Sequence, residues 1–402
     1  MNTYRYVILG GGPTAGYSAQ EFVNQGVGKG ELAIFSAEAF LPYDRPPLSK
    51  GFLTGDKDIE GVLIKPESFY KEHGIDVHLN ARATRLDVDA GVIETEGGER
   101  FEYEKLLLAT GSEVRRFDLD GAQEAGIQYL RTLDDAKRIR DAGAKADAPV
   151  VIGGGFIGLE VAASLALQGK KVRLLFPEEY FMQRIFTRRM ATFFTGYYLQ
   201  HGVEILPGNA VKRFAATNEG MEIHLASEQA IKADFVVAGV GVKPAVGLFM
   251  DTPIGVEDGV CVNEFLESTV NGVYAAGDVA AFVNPVTGKR GRVEHWQNAV
   301  DQGKLAARNM MGAHETHNVP PYFFSDMFDL SWEFWGRAEK GLVPLHVGNV
   351  EEGSFSTWWT DQQQIVKAVF VLNREDEERE LAETCVSKAE KLPEEIEKVG
   401  EE

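Results

Sequence analysis

Two α/β domains of the doubly wound type, followed by a smaller C-terminal α+β domain, form the fold class that three observations in the sequence predict. An apolar run opens into a glycine-rich loop twice, at YVILGGGPTAG (6–16) and at VVIGGGFIGLE (150–160). Each copy is followed much later by another apolar run that ends in glycine, KLLLATG closing at Gly111 and FVVAGVG closing at Gly241. From about His317 the pattern changes to aromatic-rich and alternating strands, FSTWWT and QIVKAVFVL, with a helix expected from Glu377 onward. Repetition on this scale points to two related domains.

The first unit is strand, glycine loop, a helix with apolar residues near Ala15, Ala19, Phe22 and Val23, and then the strand ELAIF, a βαβ pattern. The second repeats it, with Ile157, Val161 and Leu165 at i, i+4 and i+8 and the strand KVRLLF. The loops explain what such units hold. Gly10 and Gly153 permit a tight turn, Gly12 and Gly155 let a pyrophosphate approach the backbone, and Gly158 (Ala15 in the first copy) allows helix and strand to pack closely. The helix N-terminus behind each loop presents unpaired N–H groups and the positive end of its dipole to phosphate.

The candidate binding positions are therefore Gly10, Gly12, Pro13, Thr14 and Ala15 in the first loop and Gly153, Gly155, Phe156 and Ile157 in the second. An acidic residue about 20 positions beyond such a loop accepts from an adenosine ribose, and Glu38 and Glu178 stand in those places. Two dinucleotide sites on one chain make sense when electrons pass between them, because a nicotinamide hands over a hydride that a flavin accepts. The first site is expected to hold FAD and the second NADH, with NADPH as the alternative.

Composition narrows the class. The chain has 402 residues, too many for one core, and a hydrophobic share of 44% that is ordinary for a globular protein. No run approaches the roughly 18 apolar residues of a membrane span, and the first strand pattern starts so close to Met1 that a cytoplasmic protein is expected. Cys261 and Cys385 form no C-x-x-C, which argues against a local redox dithiol and a cysteine metal site, and no metal is expected. The net charge of −20 argues against nucleic acid as a partner.

The segments GGGPTAG, PYDRPPLSK (42–50), LLLATGS (106–112), GGGFIGLE (153–160), VGVKP (240–244), VYAAGDVAAF (273–282) and VEHWQNAVDQG (293–303) occur in that order from Tyr4 to about Met310. Together they resemble the FAD-containing pyridine-nucleotide reductases of the ferredoxin reductase type, a group that includes putidaredoxin reductase, apoptosis-inducing factor and plant monodehydroascorbate reductase. Residues 19–50 and YFFSDMFDLSWEFWG (322–336) look most like the monodehydroascorbate reductases.

The resemblance implies two Rossmann-like domains with the NAD domain inserted in the FAD domain: FAD domain 1–113 and 247–316, NAD(P) domain 114–246, and C-terminal domain 317–402. It implies that Asp278, after Gly277, binds the flavin's ribityl chain, and that Thr110, Gly111 and Gly241 line the cofactors. Arg45 is expected to contact FAD, and Lys50 to sit near the flavin N5 and pair with Glu160. The stiff Pro-Pro loop presets both cations. Glu160 is read as lying in the first turn of its helix, where the dipole favours an anion. The pair would orient the nicotinamide and do no proton chemistry of its own.

HWQNAVDQGKLAARNMM reads as a helix aimed at the flavin pyrimidine, with His295 and Trp296 at its start; the resemblance implies that Trp296 flanks the flavin and that Glu294, just before the helix, contacts the nicotinamide side. In the C-terminal domain, Phe334 or Trp335 is expected to approach the flavin or nicotinamide.

Departures from the resemblance bear on the acceptor. Disulphide reductases place C-x4-C after the first loop; here that region holds no cysteine, so electrons pass directly from flavin to an external acceptor. Where the plant enzymes carry a substrate arginine this chain has Val300, and where they carry a tyrosine it has Trp335; a short insertion after L-S-K is also missing. The expected acceptor is a ferredoxin-type iron–sulfur protein docking at Lys289, Arg290 and Arg292. The alternatives are a small acceptor, monodehydroascorbate or a quinone, and an NADH-responsive binding protein like apoptosis-inducing factor. The chain is expected to be a monomer or homodimer. Glu178 and Glu179 at the end of the second strand favour NADH over NADPH, with Arg173 and Arg184 nearby.

Overall fold

The computed structural model describes residues 2–217, 220–284 and 288–400. The chain divides into two compact units, one of residues 1–45, 59–113 and 243–321, the other of 46–58, 114–242 and 322–402. The segment 46–58, which carries Lys50, thus belongs to the second unit.

In the first unit a parallel sheet runs Asp76–His78, Leu32–Phe35, Asn2–Leu9, Arg100–Leu108 and Val273–Ala275. Val7, Ile8, Leu106 and Leu107 are fully buried, as expected of strands covered on both faces. An antiparallel hairpin, Ala83–Asp87 with Val92–Thr95, continues this sheet. Helix Pro13–Asn24 packs on helix Trp296–Met310. Their close approach depends on Gly303, where a Cβ would lie 2.7 Å from the Thr14 carbonyl oxygen.

The second unit repeats the motif in a parallel sheet ordered Glu204–Leu206, Arg173–Leu175, Val150–Ile152, Val236–Ala238, with helix Phe156–Leu167 leaving the loop after the third of these. The same unit holds a five-stranded antiparallel sheet ordered Tyr322–Met327, Leu330–Gly336, Val366–Leu372, Ser354–Thr360, Val343–Asn349. Helix Asp376–Lys388, which starts one residue before its expected position, packs on two of its strands.

Strand Ser354–Thr360 does not alternate in burial, for every residue from Phe355 to Thr360 is buried. On one face Phe355 and Thr357 meet Phe193 and Met190 of helix Arg188–Gln200. Among the described residues no helix is long and apolar enough to cross a membrane.

Candidate active site

The first glycine loop turns where only glycine fits. Gly10 has φ +137°, and a Cβ there would stand 2.0 Å from the Ala109 carbonyl oxygen. Gly12 is the N-cap of the following helix and offers no side-chain cap, with Pro13 inside the first turn. The first-turn N–H groups are left for a ligand, and Pro13 has none to lose.

Glu38 lies beside this loop and is already bonded: Tyr43 donates to its Oε2 at 2.5 Å and Arg45 Nη2 stands 3.1 Å from Oε1. A carboxylate has about four acceptor positions, so both bonds leave room for a ribose hydroxyl. Burial opposes the Arg45 charge, but Tyr43, Glu38 and Asp278 outweigh it and hold the guanidinium above its usual pKa.

Gly277, φ +77°, would put a Cβ 2.3 Å from Thr14 Oγ1, and Asp278 follows it in a short 3₁₀ turn. Gln302, on helix Trp296–Met310 and fully buried, accepts the Gly277 N–H at 2.9 Å. Its Nε2 has no acceptor among the described residues. A buried amide donor left over beside Gly277 calls for a ligand oxygen, and the chain of phosphates and hydroxyls in FAD supplies acceptors of that kind. Ser112, after Thr110 and Gly111, likewise keeps a buried hydroxyl without a protein partner among the described residues. Thr110 itself donates to the Ala245 carbonyl at 2.9 Å.

At the start of helix Trp296–Met310 the indole N–H of Trp296 donates to Asp44 at 2.6 Å, and the Tyr17 ring stands edge-on to it at 5.9 Å. The ring is therefore held rather than free to swing. His295 is the N-cap; desolvation pushes its imidazole down to about 4 against the pull of Asp278, so it is neutral at neutral pH. Glu294 is exposed and accepts from Arg292 at 2.7 Å.

The second loop is built on the same plan. Gly153 has φ +127°, a Cβ on Gly158 would lie 1.9 Å from the Gly153 carbonyl oxygen, and Gly155 opens onto empty space. Phe156 packs edge-on against Phe323, whereas Ile157 is 39% exposed beside the loop. Glu178 is exposed with its backbone pinned by Gly208, and Glu179 holds Arg188 at 2.6 Å. Arg173 is turned away to the Lys232 carbonyl, and Arg184 is exposed. Gly241, φ +94°, accepts from the Arg115 backbone N–H.

In this unit Lys50 Nζ stands 3.1 Å from Glu160 Oε1 and 3.6 Å from Asp326. Glu160 is the fifth residue of helix Phe156–Leu167, beyond its first turn. The expected help from the helix dipole is therefore weaker than the sequence position suggested, since that field falls off within a turn. Ser49 and Ser325 hold the carboxylate instead.

Two further expectations concern the acceptor side. Arg290 donates to the Val262 and Ala281 carbonyls, and Arg292 is 8% exposed and donates to the Asp278 carbonyl and to Glu294. Arg290 is nevertheless exposed, as is Lys289, whereas the Arg292 charge is offset by Glu294 and Asp258, so Arg292 does not join them in a three-cation patch. Phe334 and Trp335 are buried at 2% and 5%, packed against Phe323 and Tyr322 within their own sheet. Val300 is buried at 3%.

Residues missed from sequence are Gln302, Ser49, Ser325 and Asp326. Gln302 sits inside VEHWQNAVDQG and could have been found by asking which polar residue of an amphipathic helix faces the first loop; nothing local marks the other three.

Residues 4–303 match the family described as pyridine nucleotide-disulphide oxidoreductase, and residues 320–401 match the monodehydroascorbate reductase 3-like C-terminal domain. A monodehydroascorbate reductase of Pisum sativum is 36% identical over all of this chain and 98% of its own length. Monodehydroascorbate reductase 1, peroxisomal, of Arabidopsis thaliana is 36% identical over 95% of this chain and 94% of its own. Among solved structures, a ferredoxin reductase from Rhodopseudomonas palustris superposes with a TM-score of 0.91 at 28% identity, covering 98% of this chain and 96% of that one. Putidaredoxin reductase in its covalent putidaredoxin complex gives 0.90 at 26%, covering 97% and 94%. With both dinucleotide loops formed, the chain belongs to the pyridine nucleotide-disulphide oxidoreductase family as an FAD-dependent NAD(P)H oxidoreductase that passes electrons to a small acceptor.

Proposed function

We propose that the chain takes its hydride from NADH and delivers single electrons to a small organic acceptor of the monodehydroascorbate or quinone kind. The observation that carries the choice of acceptor is the pairing of Arg292. Glu294 and Asp258 offset its charge, which leaves the exposed Lys289 and Arg290 as a smaller cationic patch for an acidic iron–sulfur protein, on a chain whose net charge is −20. The full-length likeness to monodehydroascorbate reductases points the same way.

When bound, FAD accepts a hydride and releases electrons singly. The residues of the first unit bind it: the loop from Gly10 to Ala15 its pyrophosphate, Glu38 its ribose, Arg45 and Asp278 the chain between. The loop from Gly153 to Ile157 binds NADH, with Glu178 taking the ribose hydroxyls. Glu178 and Glu179 put negative charge where a 2′-phosphate would lie, and Glu179 neutralises Arg188, the nearby cation that could offset it. Lys50, fixed by Glu160, presents a set positive charge to the nicotinamide. A cytoplasmic setting completes the proposal; relatives include one named cytosolic, from Oryza sativa, and one named peroxisomal, from Arabidopsis thaliana.

A second reading, delivery to an iron–sulfur protein, is favoured by the likeness to putidaredoxin reductase. Anaerobic stopped-flow absorbance decides: the flavin band should bleach faster with NADH than with NADPH, and recover faster with monodehydroascorbate or a quinone than with a ferredoxin. Faster recovery with the ferredoxin would reverse the choice of acceptor.

A further inference from the structure

Glu160 is gripped by more than its lysine. Its side chain is 7% exposed, and Oε1 receives Lys50 Nζ at 3.1 Å and Ser325 Oγ at 2.6 Å, while Oε2 receives Ser49 Oγ. Ser49 is 1% exposed and Ser325 is fully buried, so neither hydroxyl has water as a competing partner. An ionised carboxylate is acceptor-only, each hydroxyl brings one proton and the ammonium three. The arrangement is matched to a charged pair.

The clamp is tied on both sides. Ser164, one turn beyond Glu160, donates to the Ser49 carbonyl at 2.6 Å and pins the Lys50 segment to the same helix. Ser325 comes from strand Tyr322–Met327 of the antiparallel sheet. Its neighbours address the lysine, the Phe324 ring at 5.4 Å from Nζ and the Asp326 carboxylate at 3.6 Å.

We propose that Ser325 is a positioning residue for hydride transfer: by donating to Glu160 it lets the C-terminal sheet, which carries no part of the nicotinamide loop, set where the Lys50 ammonium stands. Ser49 completes the grip on the other oxygen. Without the Ser325 hydroxyl, a buried carboxylate oxygen loses a donor it cannot replace, and the carboxylate turns toward what remains, taking the lysine with it. The proposal rests on the reading that the Lys50–Glu160 pair serves the nicotinamide.

The test compares wild type, Ser325→Ala, Ser325→Thr and Glu160→Gln as full-length flavoproteins, following flavin bleaching by NADH under anaerobic stopped flow and NAD⁺ binding by calorimetry. Ser325→Ala should lower the limiting bleaching rate by about tenfold, the scale of one hydrogen bond to a charged group. The NAD⁺ dissociation constant should change by less than about twofold, because the glycine loop is untouched. Ser325→Thr, which keeps the hydroxyl, should recover most of the rate.

A wild-type rate for Ser325→Ala beside a slow Glu160→Gln would overturn the proposal and leave the pair's role standing. Equal slowing by Thr and Ala would overturn it too, by assigning the effect to packing. A wild-type rate for Glu160→Gln would sink the pair's role and the proposal with it. Should Ser325→Ala not accumulate as a flavoprotein, Ser325→Val, which has the shape of Thr without its hydroxyl, takes its place beside Ser325→Thr, and a wild-type rate there overturns the proposal equally.

Discussion

At the scale of single residues, the second loop turns on Gly158. A methyl group there meets the Gly153 carbonyl at 1.9 Å, and that carbonyl belongs to the loop itself, so nothing flexible can yield. Gly158→Ala should therefore weaken NAD⁺ binding by at least tenfold, through a strain of roughly 1–3 kcal/mol, while FAD content stays at the wild-type level. Calorimetry with NAD⁺ beside the flavin absorbance reads both quantities; unchanged NAD⁺ affinity would mean that the loop does not hold the pyrophosphate. At the ribose end, Glu179 neutralises Arg188 at 2.6 Å across an exposed pair. An exposed pair contributes little to stability, so Glu179→Gln should leave the melting temperature within a degree or two. It should raise the ratio of kcat/KM for NADPH over NADH several-fold, as the freed guanidinium becomes available to phosphate. An unchanged ratio would show that Arg188 does not reach that position.

At the scale of elements, the N-cap of helix Trp296–Met310 and the segment after that helix carry two imidazoles that burial keeps neutral. Desolvation pushes both His295 and His317 down to about 4 from an ordinary 6.5. A histidine whose folded pKa lies below its unfolded one binds fewer protons when folded, so stability is fully present above about 6.5 and is lost as pH falls toward 4. His317 is 8% exposed and its Nε2 has no partner among the described residues; the shift corresponds to a loss on the order of 3 kcal/mol at pH 4. Thermal melts between pH 7 and 4 should fall steeply, and His317→Gln should flatten part of that fall; parallel curves for the two proteins would refute the assignment. Elements were also where the sequence was most readable. Gly10, Gly153 and Gly277 mark turns by backbone conformation, a local property, and the apolar runs of buried parallel strands are local too. The clamp on Glu160 was not readable, because Ser49 lies 111 residues and Ser325 165 residues from it in the chain. Strand Ser354–Thr360 misled in its face pattern for a related reason, since its burial depends on a distant helix packed on it. Glu160 could be named as the partner of Lys50, but its depth in the helix and its other donors belong to tertiary structure.

At the scale of the whole molecule, net charge sets how an acceptor arrives. A chain with 41 basic and 61 acidic residues surrounds itself with a negative potential that reaches about 10 Å at 0.1 M ionic strength and shrinks as salt is added. An acidic iron–sulfur protein docking on a local cationic patch would lose speed with added salt, because the patch attraction is screened. Without that patch, the same partner meets repulsion alone, and screening speeds its approach. A neutral quinone feels neither effect. The Arg292 charge is offset by Glu294 and Asp258 and the chain as a whole carries −20, so the second-order rate of flavin reoxidation by an acidic ferredoxin should rise between about 0.02 and 0.5 M sodium chloride. The rate with a neutral quinone should stay level over the same range. The singly charged monodehydroascorbate should show a small rise, since repulsion scales with the product of the charges. A ferredoxin rate that instead falls steeply with salt would reveal a cationic docking face elsewhere on the surface, and would restore the iron–sulfur protein as the acceptor.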